Sequence, residues 1–220
     1  GAADPFALRR HALAIIRILE SRDWDVSLTE IISKALSVLA KEISFDEPLI
    51  LGKILDFFRE RYRQMMLRSD YGYGLVEAAI AVDFDRINQL RSRLDQLQRF
   101  VKEFTGFESF VLTSKRISNI LKNQEDPMRV QHTLFKDPCE SKLWETYQAV
   151  KRPIEELLEK KKTYEALQHM ATLKGPVDAF FEGVEILTKE SVDLKNNRVG
   201  MLQELSRLFL KVADFSKFAI

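Results

Sequence analysis

The sequence predicts an all-α protein, a bundle of many helices, on three observations. Apolar residues recur at spacings of three and four almost without interruption, no stretch alternates apolar and polar residues in the manner of a strand, and capping residues precede the apolar runs. The first helix is expected to open at Asp4, an N-cap type, with Pro5 at the first helical position. Leu8, Ala12, Ile15 and Leu19 form its buried stripe, leaving Arg9, Arg10 and Arg17 beside or away from it. The clearest start is Ser27-Leu28-Thr29-Glu30, a capping-box pattern, followed by Leu28, Ile31, Ile32, Ala35, Leu36 and Leu39 on one face. Asp46-Glu47-Pro48 opens a third helix running toward Arg68, and the stretch from Ser69 to Gly74 ends it before a short helix rich in Ala and Val.

Ile87, Leu90, Leu94, Leu97 and Val101 make the next stripe, which lasts barely two heptads and therefore reads as bundle core rather than coiled coil. Periodicity is weakest from Asn123 to Ser141, where Pro127 and Pro138 interrupt a polar stretch; this reads as a long connection. Helices resume around Ser141 with Trp144, Tyr147 and Val150 inward, and Pro153 is expected to kink or break that element. Pro176 belongs to the first turn of a helix carrying Phe180 and Phe181. The last helix buries Leu202, Leu205, Leu208, Phe209 and Val212. The reading is one α-helical domain over residues 1–220, divisible into two packed subdomains near the 123–141 connection.

The 220 residues can bury a sizeable core. With 34 Lys and Arg against 33 Asp and Glu the formal net charge is +1, so any nucleic-acid surface must be a local patch rather than a bulk property. One cysteine, Cys139, excludes an intramolecular disulfide, and no Cys/His spacing suggests zinc; a reducing compartment follows. Without a signal-like segment or an apolar run of about 18 residues, secretion and membrane spanning are not expected. Gly1 reads as an appended residue and the chain as a piece of a longer protein.

No catalytic residue and no metal site emerge. Gly72-Tyr73-Gly74 lacks the third glycine and preceding strand of a dinucleotide loop, so it reads as a turn. His11, His132 and His169 are widely separated. The acidic runs Glu155 to Glu159 and Asp178 to Glu185 place carboxylates at helical spacing, which is the habit of solvated faces. A metal-dependent helical hydrolase would need clustered His and Asp pairs, and the spacing argues against it.

Asp4-Pro5-Phe6-Ala7-Leu8-Arg9-Arg10 resembles the start of the C-terminal anticodon-binding domain of bacterial glycyl-tRNA synthetase β subunits, which is similar to the DALR module of arginyl-tRNA synthetases. Lys115 to Lys122 (KRISNILK), Pro176 to Val184 (PVDAFFEGV) and Asn197 to Phe215 (NRVGMLQELSRLFLKVADF) match as well, in family order, so the resemblance covers nearly the whole chain. Two positions depart from the pattern: Ala14 stands where a glycine is common, and Glu185 interrupts a segment that usually continues apolar. The resemblance implies a DALR-type helical fold and a module that binds tRNA(Gly). It implies as partners the remaining β-subunit regions and the catalytic α subunit, with ATP and magnesium used in the catalytic part and no cofactor here. It also implies a cytoplasmic setting without DNA or membrane. The alternatives are the equivalent domain of an arginyl-tRNA synthetase and a non-catalytic helical scaffold that docks proteins through an apolar groove.

RNA recognition requires cations for phosphates, planar groups for stacking, and donors and acceptors for base edges. Ser109 to Gln124 contains no acid and three cations, Lys115, Arg116 and Lys122, with Ser118 and Asn119 at helical spacing among them. Arg86 to Lys102 holds five basic residues against Asp95, and Arg59, Arg61, Arg63 and Arg68 stand against Glu60. The residues expected to meet RNA are Arg9, Arg10, Arg59, Arg63, Arg86, Arg93, Lys115, Arg116, Asn119, Lys122 and Arg198. Most of the 15 Phe, 5 Tyr and 2 Trp fit apolar stripes; Tyr71 and Tyr73 in the turn are the aromatics expected to be exposed. Glycine anticodons end in two cytosines, so the expected reading uses a carboxylate or carbonyl to accept from the cytosine amino group.

Overall fold

A computed structural model describes residues 4, 6–22, 24–124 and 126–219. Every regular element among them is helical. The chain divides into two compact units, Gly1–Asp95 and Gln96–Ile220. The boundary falls inside a helix, and the 123–141 stretch lies within the second unit.

The first unit contains α1 (Leu8–Ser21), α2 (Leu28–Leu39), α3 (Glu47–Leu67), α4 (Tyr73–Ile80) and the first half of α5 (Ile87–Glu103). Helix α1 begins at Leu8 rather than directly after Asp4, and its N-cap is Ala7 with φ 54°. The Asp4 carboxylate still serves that turn, accepting from Arg9 N–H at 3.2 Å; Pro5 lies outside the described residues. The buried stripe of α1 is Ala12, Ile16 and Leu19, while Leu8 and Ile15 stay exposed. Likewise Ile31 and Leu39 of α2 face out and Leu28, Ile32 and Leu36 face in.

Ser27 and Asp46 cap α2 and α3 as their side-chain types require, accepting from Glu30 N–H and Leu49 N–H, each at 3.0 Å. Asp85, from the α4–α5 turn, adds to the α2 cap: its carboxylate accepts from Thr29 N–H and Ser27 Oγ, each at 2.9 Å. Helices α1, α2 and α4 pack on α3, and Tyr62, Met66, Val76, Leu90 and Leu94 fill the interior.

The second unit holds the rest of α5 with α6 (Phe107–Leu121), α7 (Pro138–Glu159), α8 (Thr163–Ala171), α9 (Lys174–Gly183) and α10 (Val192–Phe209). Helix α7 starts at Pro138, not near Ser141, because Asp137 and Glu140 form a capping box around it. It runs through Pro153 to Glu159 without a break. Burial of Val150 and Ile154 on either side of the proline offsets the lost backbone rung.

The connection before α7 is strapped to α10. Gln203 accepts from Met128 N–H at 2.9 Å and donates to the carbonyls of Gln124 and Asp126, and Asn197 accepts from Gln131 N–H at 2.6 Å. Gly200 lets the strap lie close, since a Cβ there would sit 3.1 Å from the Met128 carbonyl oxygen. Trp144 Nε1 donates to His132 Nε2 at 2.8 Å beneath it. The α6–α10 contact is filled by Phe110, Phe209 and Phe215, with ring centroids 5.0–6.2 Å apart. No helix among the described residues is long and apolar enough to cross a membrane.

Candidate nucleic-acid interface

In the second unit, α6 turns Phe110, Val111, Ser114 and Ile117 into the core, which carries the opposite face outward. Lys115, Ser118, Asn119 and Lys122 are three or four residues apart and share that face. They line an open groove of about 560 Å³, closed on its other side by Ser206 and Leu210 of α10 and by Asp214 and Ser216 beyond it. Asp214 is fixed by its own turn, accepting from Ser216 N–H at 3.1 Å and Ser216 Oγ at 2.6 Å, with Lys217 Nζ at 3.8 Å. The groove thus offers two ammonium groups, an amide that can donate and accept, and an oriented carboxylate acceptor. Its apolar ledges are Leu121 and Leu210.

Three of the sequence-derived candidates, Lys115, Asn119 and Lys122, meet here. Arg116 does not: its guanidinium lies 4.2 Å over the Phe181 ring. Asp214, Ser206 and Ser216 escaped the sequence reading, although the Asp214-Phe215-Ser216 turn signal was present.

Two groups of arginines stand out in the first unit. One set is paired: Arg10 with Asp4, Arg59 with Asp56, Arg63 with both Glu60 and Glu77, and Arg86 with Asp25 at 3.0 Å. Arg93 is interior, donating to the carbonyls of Ala79 at 3.0 Å and Asp83 at 2.8 Å, so it ties the end of α4 to α5 rather than facing a ligand. The other set, Arg9, Arg17, Arg61 and Arg68, converges with Gln64 on a groove of about 290 Å³ between α1 and α3. Of these, Arg9 was expected from the sequence to meet RNA and Arg61 and Arg68 belonged to a basic patch, while Arg17 was not singled out for RNA.

Arg198 is likewise an interior group. Its Nε donates to Glu140 Oε1 at 2.8 Å and its Nη1 to the Glu185 carbonyl at 2.9 Å. Tyr71 is 6 % exposed, its hydroxyl donating to Asp95, whereas Tyr73 is 62 % exposed; only the second fits the expectation. Burial and the hydrogen bond to Asp95 push the Tyr71 phenol up to about 12. Burial and Asp137 push the Cys139 thiol up to about 12. Among the described residues no group of three His, Cys, Asp or Glu could hold a metal ion. A second groove of the first unit, about 430 Å³, is almost wholly apolar, lined by Leu8, Ile15, Ile50, Ile54 and Phe57.

Residues 111–213 match the family described as the DALR anticodon binding domain, and residues 1–81 match the glycyl-tRNA synthetase beta subunit. Curated relatives agree over the whole chain. The glycine–tRNA ligase beta subunit of Geotalea daltonii is 34 % identical over 217 residues, which is 99 % of this chain. That of Trichlorobacter lovleyi is 33 % identical over 219 residues, 100 % of the chain, and that of Acidithiobacillus ferrooxidans 32 % over 221 residues, 99 % of the chain.

The chain belongs to the glycyl-tRNA synthetase beta-subunit family and carries a DALR match. The chain spans 31 % of the length of each of these relatives. Within the family frame, Lys115, Asn119, Lys122, Ser206 and Leu210 fall inside the DALR anticodon binding match and Asp214 immediately after it. The arginine groove falls inside the glycyl-tRNA synthetase beta subunit match. These matches favour the glycyl over the arginyl type.

Proposed function

We propose that this segment binds tRNA(Gly) and reads its anticodon in the groove between α6 and the end of α10. It would position the tRNA for glycyl-tRNA synthesis carried out elsewhere in a cytoplasmic synthetase. The observation that carries the reading is the meeting of Lys115, Asn119 and Lys122 with an oriented Asp214 inside and at the edge of the DALR match. The chemistry of each group sets its role. The lysines face phosphates, Asp214 accepts from a cytosine amino group, and Asn119 supplies a donor to the ring edge. In this reading the ATP- and magnesium-dependent activation of glycine belongs to the catalytic α subunit or to other β-subunit regions.

The test titrates the 220-residue chain with a glycine tRNA transcript and with one carrying uracil for an anticodon cytosine. Tighter binding of the cytosine form, by about 5- to 150-fold for a contact worth roughly 1–3 kcal/mol, supports the reading. Equal binding overturns it. The apolar groove of Leu8, Ile15, Ile50, Ile54 and Phe57 favours a second, compatible role as a docking surface for the rest of the synthetase.

A further inference from the structure

Arg9 and Arg17 sit two turns apart on α1, and Arg61 of α3 stands two turns before Arg68, the C-cap of that helix, with Gln64 between them. At the helical rise these two rows are each about 10–12 Å long. All four guanidiniums line one open groove, no carboxylate lines it with them, and none of the four is in an ion pair among the described residues. The contrast with their neighbours is local: Arg10, Arg59 and Arg63 are each one or two residues away and each is paired with an acid. Arg61 is also held in place, its guanidinium 5.4 Å over the Phe57 ring and its Nε out of solvent with no hydrogen-bond partner among the described residues.

Four converging guanidiniums without a salt-bridge partner repel one another, although Glu20 and Glu60 act on Arg17 and Arg61 at longer range, and an anion in the groove relieves that repulsion. Their planar forks suit phosphoryl oxygens. A single phosphate would engage one or two forks, whereas two rows of this length suit a chain of phosphates. We infer that the α1–α3 groove is a phosphate-backbone clamp for RNA, separate from the base-reading groove of the second unit. This rests on the proposal that the chain binds RNA. It assigns to the first unit affinity without sequence preference, because phosphates carry no base identity.

The test uses the 220-residue chain, its Arg17→Ala/Arg68→Ala variant and the charge-keeping Arg17→Lys/Arg68→Lys variant, each shown by thermal melting to fold. Glycine tRNA and an unrelated tRNA transcript are titrated between about 50 and 200 mM salt. The alanine pair should flatten the slope of log affinity against log salt by about 1.4–1.8 for both transcripts alike, and the lysine pair should retain most of it. The ratio between cytosine and uracil anticodons should not move. An unchanged slope in the folded alanine variant overturns the clamp.

Inorganic tripolyphosphate provides the second arm. If it binds the unaltered chain and not the alanine variant while the RNA slopes coincide, the groove takes small polyanions and the RNA assignment falls. Transcripts that bind regardless of anticodon, yet lose slope in the alanine variant, sink the anticodon reading and leave the clamp standing. No binding of either transcript at the lowest salt overturns both.

Discussion

Arg198 and Glu140 form an ion pair inside the second unit, Nε to Oε1 at 2.8 Å, with the Arg198 side chain 8 % exposed and that of Glu140 fully out of solvent. The other carboxylate oxygen of Glu140 accepts from Lys136 N–H at 2.7 Å and Asp137 N–H at 2.8 Å. One carboxylate therefore fixes the start of α7 and anchors α10 to it. Removing the guanidinium leaves that anion buried and short of a partner.

Arg198→Ala is expected to destabilise the chain by about 3–5 kcal/mol in chemical denaturation. RNA affinity of the folded protein should stay unchanged at low temperature. A stable Arg198→Ala protein with lost RNA binding would instead make Arg198 a ligand.

In the α6 groove the two kinds of contact should separate. Lys122→Ala is expected to weaken every RNA alike and to lower the salt slope by about 0.7, the contribution of one phosphate contact to a single strand. Asn119→Ala should leave the slope alone and narrow the gap between cytosine and uracil anticodons. Fluorescence anisotropy with the two transcripts distinguishes these outcomes.

Asp85→Ala should cost about 1–2 kcal/mol, since it removes an acceptor for the first turn of α2. Burial acts to raise the Asp85 carboxyl, but the hydrogen bonds from Thr29 and Ser27 outweigh it and hold the group below its ordinary value. A carboxyl lowered by folding stabilises the native state above its unfolded value of about 3.9, and that contribution is lost as pH falls through the folded value. The stability gap between the unaltered chain and Asp85→Asn should therefore be full at neutral pH and shrink below about pH 4. Urea melts across that range check it.

Gln203→Ala should free the strap at residues 124–128 by leaving Met128 N–H and two carbonyls without their side-chain partner, a loss of about 1–3 kcal/mol. Hydrogen exchange is the direct readout: the Met128 amide should exchange faster, while amides in the middle of α10 keep their protection.

The helices were legible because periodicity and caps are local. Ser27, Asp46 and the stripe through Leu90, Leu94 and Leu97 lie as the spacing requires. What failed depended on partners distant in sequence. Ile15 and Ile16 are equally apolar, and only the packing of α3 decides that Ile16 goes inward. Arg93 belongs to a run that looks basic and Arg198 to a stretch that resembles the family, yet the carbonyls of Ala79 and Asp83 and the carboxylate of Glu140 claim them. The same physics left Arg17, Arg61 and Arg68 without a salt bridge among the described residues, and acids 14 or more residues away in the chain, such as Glu77 for Arg63, are invisible to a window of neighbours. Lys115, Asn119 and Lys122 could be grouped from the sequence because one helix face carries all three. Asp214 was missed because its place in that groove depends on how the chain beyond α10 folds back.

Each unit carries one tryptophan, and the two report oppositely. Trp24, in the first unit, is 53 % exposed, while Trp144, in the second, is 7 % exposed and hydrogen-bonded to His132. Held by that hydrogen bond, Trp144 senses the packing of its own unit. A soluble quencher will reach Trp24 and spare Trp144. The molecule is thus optically labelled from within: with the quencher present, the remaining indole emission is that of Trp144 and follows the loosening of the second unit, with no dye attached.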